Sequence, residues 1–164
     1  MATKLSLEHR FSKGVDKVWA MYNDKDFFVK KYRENGFTNI EVLDYKKNDQ
    51  GFSITVRYDA QSDAPLPEFA KKFMASTITV TQTDSWEFAS KTGKIITEVK
   101  GMPMKVSADM KLEAAGKGAV NKMVWTLSAG IPLIGGKLEG LLAEDIKVKS
   151  AKDQAASAKL LEAY

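Results

Sequence analysis

Three polar residues fall where strand alternation otherwise places apolar ones. His9 shares its face with Leu5, Leu7 and Phe11; Gln82 and Asp84 share theirs with Ile78, Val80, Trp86 and Phe88. Burying an unpaired carboxylate costs several kcal/mol or pushes its pKa upward. Asp84 must therefore be paired, be reached by cavity water, or sit near a strand end. Two chemistries suit these residue types. They could line an apolar pocket and orient the head group of a ligand, or an Asp–His pair could move a proton. The plainer alternative is that Asp84 and Gln82 mark a bulge or a cavity mouth and that His9 hydrogen-bonds to backbone. No nucleophile accompanies them, so no catalytic residue is assigned.

Other chemistries find little support. The chain has no cysteine, which removes disulfides, thiol nucleophiles and cysteine-ligated metals. A single histidine and no spaced aspartate cluster argue against a metal site, and no cofactor motif is present. There is no G-x-S-x-G, and one histidine would have to serve any triad. Gly135-Gly136 lacks the Gly-Lys-Ser/Thr that follows in a phosphate loop. Gly136 and Gly140 lie four apart, hence on one helix face, and read as a close approach of helix to sheet. The net charge of +4 is spread as isolated doublets such as Lys30-Lys31 and Lys71-Lys72 among acidic residues, which is no nucleic-acid footprint. The N-terminus has no apolar core of a signal peptide, and no apolar run approaches the ~18 residues that span a bilayer. The expectation is a cytoplasmic protein without stable membrane insertion.

The elements that must position these residues follow from hydrophobic period. At 164 residues the chain is the size of about one domain, 1–164. A first strand ends at Phe11. Two short helices follow, one capped by Ser12 with Val15, Val18, Trp19 and Tyr22 inward. The other is capped by Asp24, carries Phe27, Phe28 and Tyr32, and stops at Asn35-Gly36. Strands are expected at 38–46, 51–60, 76–89, 94–101, 104–113 and 119–130, with turns at Lys47–Gly51, Lys91-Thr92-Gly93 and Gly116-Lys117-Gly118. Pro65 and Pro67 open a short helix with Leu66, Phe69, Ala70 and Phe73 inward. From about Leu133 to Ala163 an amphipathic helix carries Ile134, Leu138, Leu141, Leu142, Asp145 and Ile146. Its Lys/Ala-rich end is expected to overhang, since thirty helical residues reach ~45 Å. Consecutive hairpins and helices in this order predict an α+β fold, a seven-stranded antiparallel sheet covered on one face.

That order is similar to the helix-grip fold of the START-like superfamily, which includes Bet v 1-like plant allergens and polyketide cyclases, and the likeness covers essentially the whole chain. More narrowly the chain resembles a bacterial START-like family of unknown function. The likeness rests on Val18-Trp19-Ala20, Asp24, Leu66–Phe73, Gly101-Met102-Pro103-Met104 and Ile131–Glu139, the last two being the most specific. The resemblance implies a cavity between the curved sheet and the last helix for a lipid-like or polycyclic ligand, and it implies no catalytic residues.

The sequence therefore leads to a protein that binds or transports an apolar small molecule. Tyr58, Val80, Trp86, Met110, Trp125, Leu138 and Leu142 would form the apolar wall, with Asp84, Gln82 and His9 as polar anchors and the helix around Leu66–Phe73 at the mouth. Methionines fill irregular gaps and suit an adaptable interior, although a closed core would use the same residues. One rival is a cyclase- or hydratase-type enzyme using Asp84 or His9. Another is an interaction module docking through the overhanging tail.

Overall fold

Residues that alternate between burial and exposure at every second position can only form strands with one covered face. The computed structural model, which describes residues 2–61, 67–72 and 76–164, places seven of them in one sheet. They are β1 (Thr3–Phe11), β2 (Thr38–Lys47), β3 (Gly51–Gln61), β4 (Thr77–Glu87), β5 (Thr92–Val99), β6 (Met104–Ala115) and β7 (Gly118–Ala129). Every neighbouring pair is antiparallel, in the order β1-β7-β6-β5-β4-β3-β2. β2 to β7 thus form one meander, and β7 returns to pair with β1. The helices α1 (Val15–Tyr22) and α2 (Lys25–Glu34) carry the chain from one edge of the sheet to the other. The long helix α4 (Gly135–Leu161) lies along β1 and β7 and meets α1 and α2 at its far end. This is the helix-grip α+β fold.

The inner face is the one that alternation selects. Phe52, Ile54, Val56 and Tyr58 of β3 are buried, as are Ile95 and Val99 of β5 and Val106, Ala108, Met110 and Leu112 of β6. The helices α1 and α2 add an aromatic layer above it. Tyr22 stacks on Trp86 at 5.4 Å between centroids, Trp19 meets Trp86 edge-on at 5.5 Å, and Tyr32 and Phe37 both pack on Tyr58. Such pairs each add ~0.5–1.5 kcal/mol beyond their area. Trp86 needs room for this: a Cβ on Gly93 would lie 2.7 Å from its ring.

Several local expectations change. Asp24 does cap α2, accepting from the Asp26 N–H at 2.9 Å, and Gly36 ends that helix at φ +83°. The residue before α1, however, is Gly14, and no side chain caps that end, so Ser12 is not the cap. Only Lys91 of Lys91-Thr92-Gly93 belongs to the turn; the other two open β5. β2 is irregular, with register shifts between Thr38 and Glu41 and between Val42 and Asp44. The described part of the short helix, α3, is Glu68–Lys71, with Ala70 fully buried; Leu66 and Phe73 lie outside the described residues.

Two corrections concern α4. Its last turns do not overhang. Ala156, Ser157 and Leu161 are buried. Lys13 Nζ donates to the carbonyls of Leu161 and Tyr164 at 3.0 and 3.2 Å, and the Tyr164 hydroxyl donates to the Asp24 carboxylate. The two helices after β1 extend the platform beyond the strands, which simple strand length does not reveal. The glycines also trade roles. Gly136 and Gly140 are exposed, and a Cβ on either would meet nothing within 4 Å. Gly135 is the close approach: its Cβ would lie 2.7 Å from the Ala129 carbonyl oxygen.

Candidate ligand cavity

Beyond Leu142 a cavity of about 130 Å³, partly open to solvent, lies between β3–β7 and the helices α2 and α4. Inward-facing Tyr58, Val80, Ile95, Val99, Val106, Met123 and Trp125 supply its apolar wall from the sheet. Phe37 and Leu142 close it from the helical side.

One end is polar. On α2, Phe27, Phe28, Lys31 and Tyr32 recur at i, i+1, i+4 and i+5, so Lys31 is carried inward on an apolar helix face. Its ammonium lies 5.1–5.2 Å from the ring centroids of Phe27, Phe28 and Tyr32 and 3.4 Å from an Asp153 oxygen. Asp153 also accepts from Asn35 Nδ2 at 3.2 Å and faces His9 Nδ1 at 3.7 Å. His9 Nε2 and the Ser150 hydroxyl share a hydrogen bond at 2.7 Å. His9 is thus tied to Ser150 of α4. Burial pushes its pKa below the usual value, Asp153 opposing this and Lys31 adding to it, so the ring is neutral at neutral pH.

A second polar strip runs along β3 and β4. The Tyr58 hydroxyl donates to Gln82 Oε1 at 2.9 Å, and Gln82 Nε2 donates to Asp84 Oδ1 at 2.9 Å. Tyr58 faces Val80, and Val56 faces Gln82, in the β3–β4 register. Burial raises the Asp84 pKa, against the opposing effects of Lys31 and of the Gln82 hydrogen bond. The Tyr32 hydroxyl, also raised well above its ordinary pKa by burial, stays protonated.

Six of the residues singled out from sequence sit on this wall: His9, Tyr58, Val80, Gln82, Trp125 and Leu142. Four lie elsewhere. Asp84 is behind Gln82; Trp86 is in the aromatic layer; Met110 lies against the Asn121 amide at 3.7 Å; Leu138 belongs to a second apolar cluster with Ala70, Leu127 and Leu142. Sequence reasoning missed Lys31, Tyr32, Asn35, Ser150 and Asp153 as wall residues. A signal existed for Lys31, a charge on the apolar face of a short helix, the same anomaly that drew notice to His9. On α4 the inward stripe of Leu142 and Ile146 simply continues as Ser150 and Asp153 at helical spacing.

Ser150, His9 and Asp153 come in the order of a hydrolytic triad, but 3.7 Å between imidazole and carboxylate exceeds a hydrogen bond, and Asn35 and Lys31 already engage Asp153. The trio serves as a clamp joining β1, α2 and α4. Among the described residues no group of His, Asp and Glu could hold a metal ion, and no helix is long and apolar enough to cross a membrane.

Residues 6–161 match the family model described as "Protein of unknown function (DUF2505)". The chain belongs to this family. No curated protein matches it. Among solved structures it is similar to Ara h 8.0201, at TM-score 0.67 and 16% identity, with 100% of both chains covered. It is similar to a START superfamily protein from Mycobacterium smegmatis at TM-score 0.59 and 11% identity, covering 97% of this chain and 98% of that one. For TTHA0849 from Thermus thermophilus the TM-score is 0.69 at 12% identity, with 98% of each chain covered. At these identities the likeness is one of fold.

Proposed function

We propose that this DUF2505 protein binds a small, mainly apolar molecule in the cavity between its sheet and α4. The observation that carries this reading is a cavity of about 130 Å³ with an apolar wall and a polar cluster gathered at one end. The volume favours a ligand of about one ring over a long acyl chain: a ~150 Å³ apolar cavity admits benzene, whereas drug-sized pockets run to ~300–1,000 Å³. Tyr58, Val80, Trp125 and Leu142 would hold the apolar body, with His9 and Gln82 at the polar rim.

The test is binding of a panel of one-ring compounds, with a fluorescent fatty acid alongside, followed by calorimetry and by amide shifts. Saturable binding that shifts the Ile95, Val99 and Met123 amides supports the reading. Absence of saturable binding by every compound in the panel overturns it.

A further inference from the structure

The polar groups around the cavity are not evenly satisfied, and the imbalance has a sign. The Tyr32 hydroxyl and the Trp125 indole N–H are buried and have no hydrogen-bond partner among the described residues. Tyr32 is only 2% exposed, and both residues line the cavity. Lys31, one position before Tyr32, brings three N–H donors to the same wall, and its carboxylate partner is Asp153 at 3.4 Å. Against these donors stand two unpartnered acceptors on the wall, Asn35 Oδ1 and the Tyr32 hydroxyl oxygen itself. A buried donor left unpaired costs ~1–3 kcal/mol, a cost that an acceptor atom brought in by a ligand would remove.

Resting on the reading of this cavity as a ligand site, we propose that it selects a compact cyclic carbonyl compound, a ketone or aldehyde. The carbonyl oxygen accepts from the Tyr32 hydroxyl beside Lys31, and the ring occupies the apolar wall. A neutral carbonyl fits better than a carboxylate. Lys31 already faces the Asp153 carboxylate, and Asp84 lies behind Gln82 on the same side, so a second anion would meet like charge. A plain hydrocarbon would leave the donors unpaired.

The experiment compares toluene, acetophenone and benzoate on the full chain by calorimetry, then repeats the series on Tyr32→Phe. Acetophenone is expected to bind about tenfold more tightly than toluene, and more tightly than benzoate, a tenfold ratio being worth about 1.4 kcal/mol. Tyr32→Phe should bring acetophenone close to toluene without lowering the denaturation midpoint of the unliganded protein, because the hydroxyl it removes has no partner to lose. Equal binding of toluene and acetophenone overturns the selection while leaving the cavity a ligand site. Tighter binding of benzoate overturns the neutral class. Failure of all three to bind overturns this inference, whereas the reading of the cavity as a ligand site falls only if the wider panel, the fatty acid included, also fails to bind. Should Tyr32→Phe fold poorly, the infrared carbonyl stretch of acetophenone bound to the unaltered protein decides. A shift to lower frequency than in hydrocarbon solvent shows the donated hydrogen bond, and an unshifted band refutes it.

Discussion

Two buried carboxyl groups, Glu139 where α4 meets β1 and β7 and Asp84 on β4 behind the cavity wall, are held in opposite ways. At the closed end Glu139, 3% exposed, accepts from the Thr3 hydroxyl at 2.8 Å and from the Ala129 N–H at 2.9 Å. Those bonds, the Ala129 N–H foremost, hold its pKa below the usual range, so it is a fixed anion stitching α4 to β1 and β7. At the cavity end Asp84, 5% exposed, takes a single side-chain bond from Gln82, and burial drives its pKa the other way. The same functional group is held by a backbone N–H and a hydroxyl at Glu139 and by one side-chain amide at Asp84.

The largest effect is expected at the closed end. Glu139→Ala strands the Ala129 N–H and the Thr3 hydroxyl together and should cost about 2–3 kcal/mol in urea unfolding. The pH dependence has a definite sign. A depressed folded pKa means that the unfolded chain binds more protons in acid. The Glu139 contribution is therefore present above the ordinary glutamate range and lost as pH falls through its lowered value. A variant that keeps the parent's full acid sensitivity would break the comparison.

Gly135→Ala tests how tightly that end is closed. The added Cβ would sit 2.7 Å from a backbone oxygen, and backbone yields less readily than a side chain tip. Overpacking of this kind costs about 1–3 kcal/mol. An unchanged midpoint would show that α4 floats over Ala129.

At the cavity end the sign should reverse. Asp84 has a raised folded pKa, so the folded chain binds more protons than the unfolded one just above the ordinary aspartate range, and stability falls as pH rises there. Asp84→Asn keeps an oxygen for the Gln82 amide and removes the buried charge. It should raise stability near neutral pH by less than Glu139→Ala lowers it, and flatten that falling limb. A loss of stability at neutral pH would mean that Asp84 is a saturated structural anion like Glu139.

Alternation made the closed end readable in advance, because a dry interface obeys local period: Leu138 and Leu142 fall inward at i and i+4, opposite Leu127. It also placed His9, Gln82 and Asp84 on the inner face correctly. Period does not say which inward residues stand around empty space. That depends on where α2 crosses α4, and the decisive contact, His9 to Ser150, joins positions 141 apart. Trp86 and Met110 were therefore indistinguishable from Tyr58 and Val80 by pattern, and Asp153 looked like one more polar residue on a thinning helix. Gly136 and Gly140 misled for a related reason. Their spacing marks a shared face, but only the register of α4 on β7 decides that the face is the solvent side and that Gly135 takes the contact.

That last point yields the smallest test. Gly140 lies in the exposed interior of α4 with nothing within 4 Å of its Cβ position. Replacing a helix-interior glycine by alanine removes backbone freedom from the unfolded chain and is worth about 0.5–1 kcal/mol where no clash follows. Gly140→Ala should therefore raise the denaturation midpoint slightly, while Gly135→Ala, five residues earlier on the same helix, lowers it. Opposite signs from one substitution would separate the face of α4 that touches the sheet from the face that does not. If Gly140→Ala destabilised as much as Gly135→Ala, α4 would have to be rotated relative to the sheet. His9–Ser150 and Lys31–Asp153 would then no longer be fixed neighbours, and the cavity wall built from them would have to be redrawn.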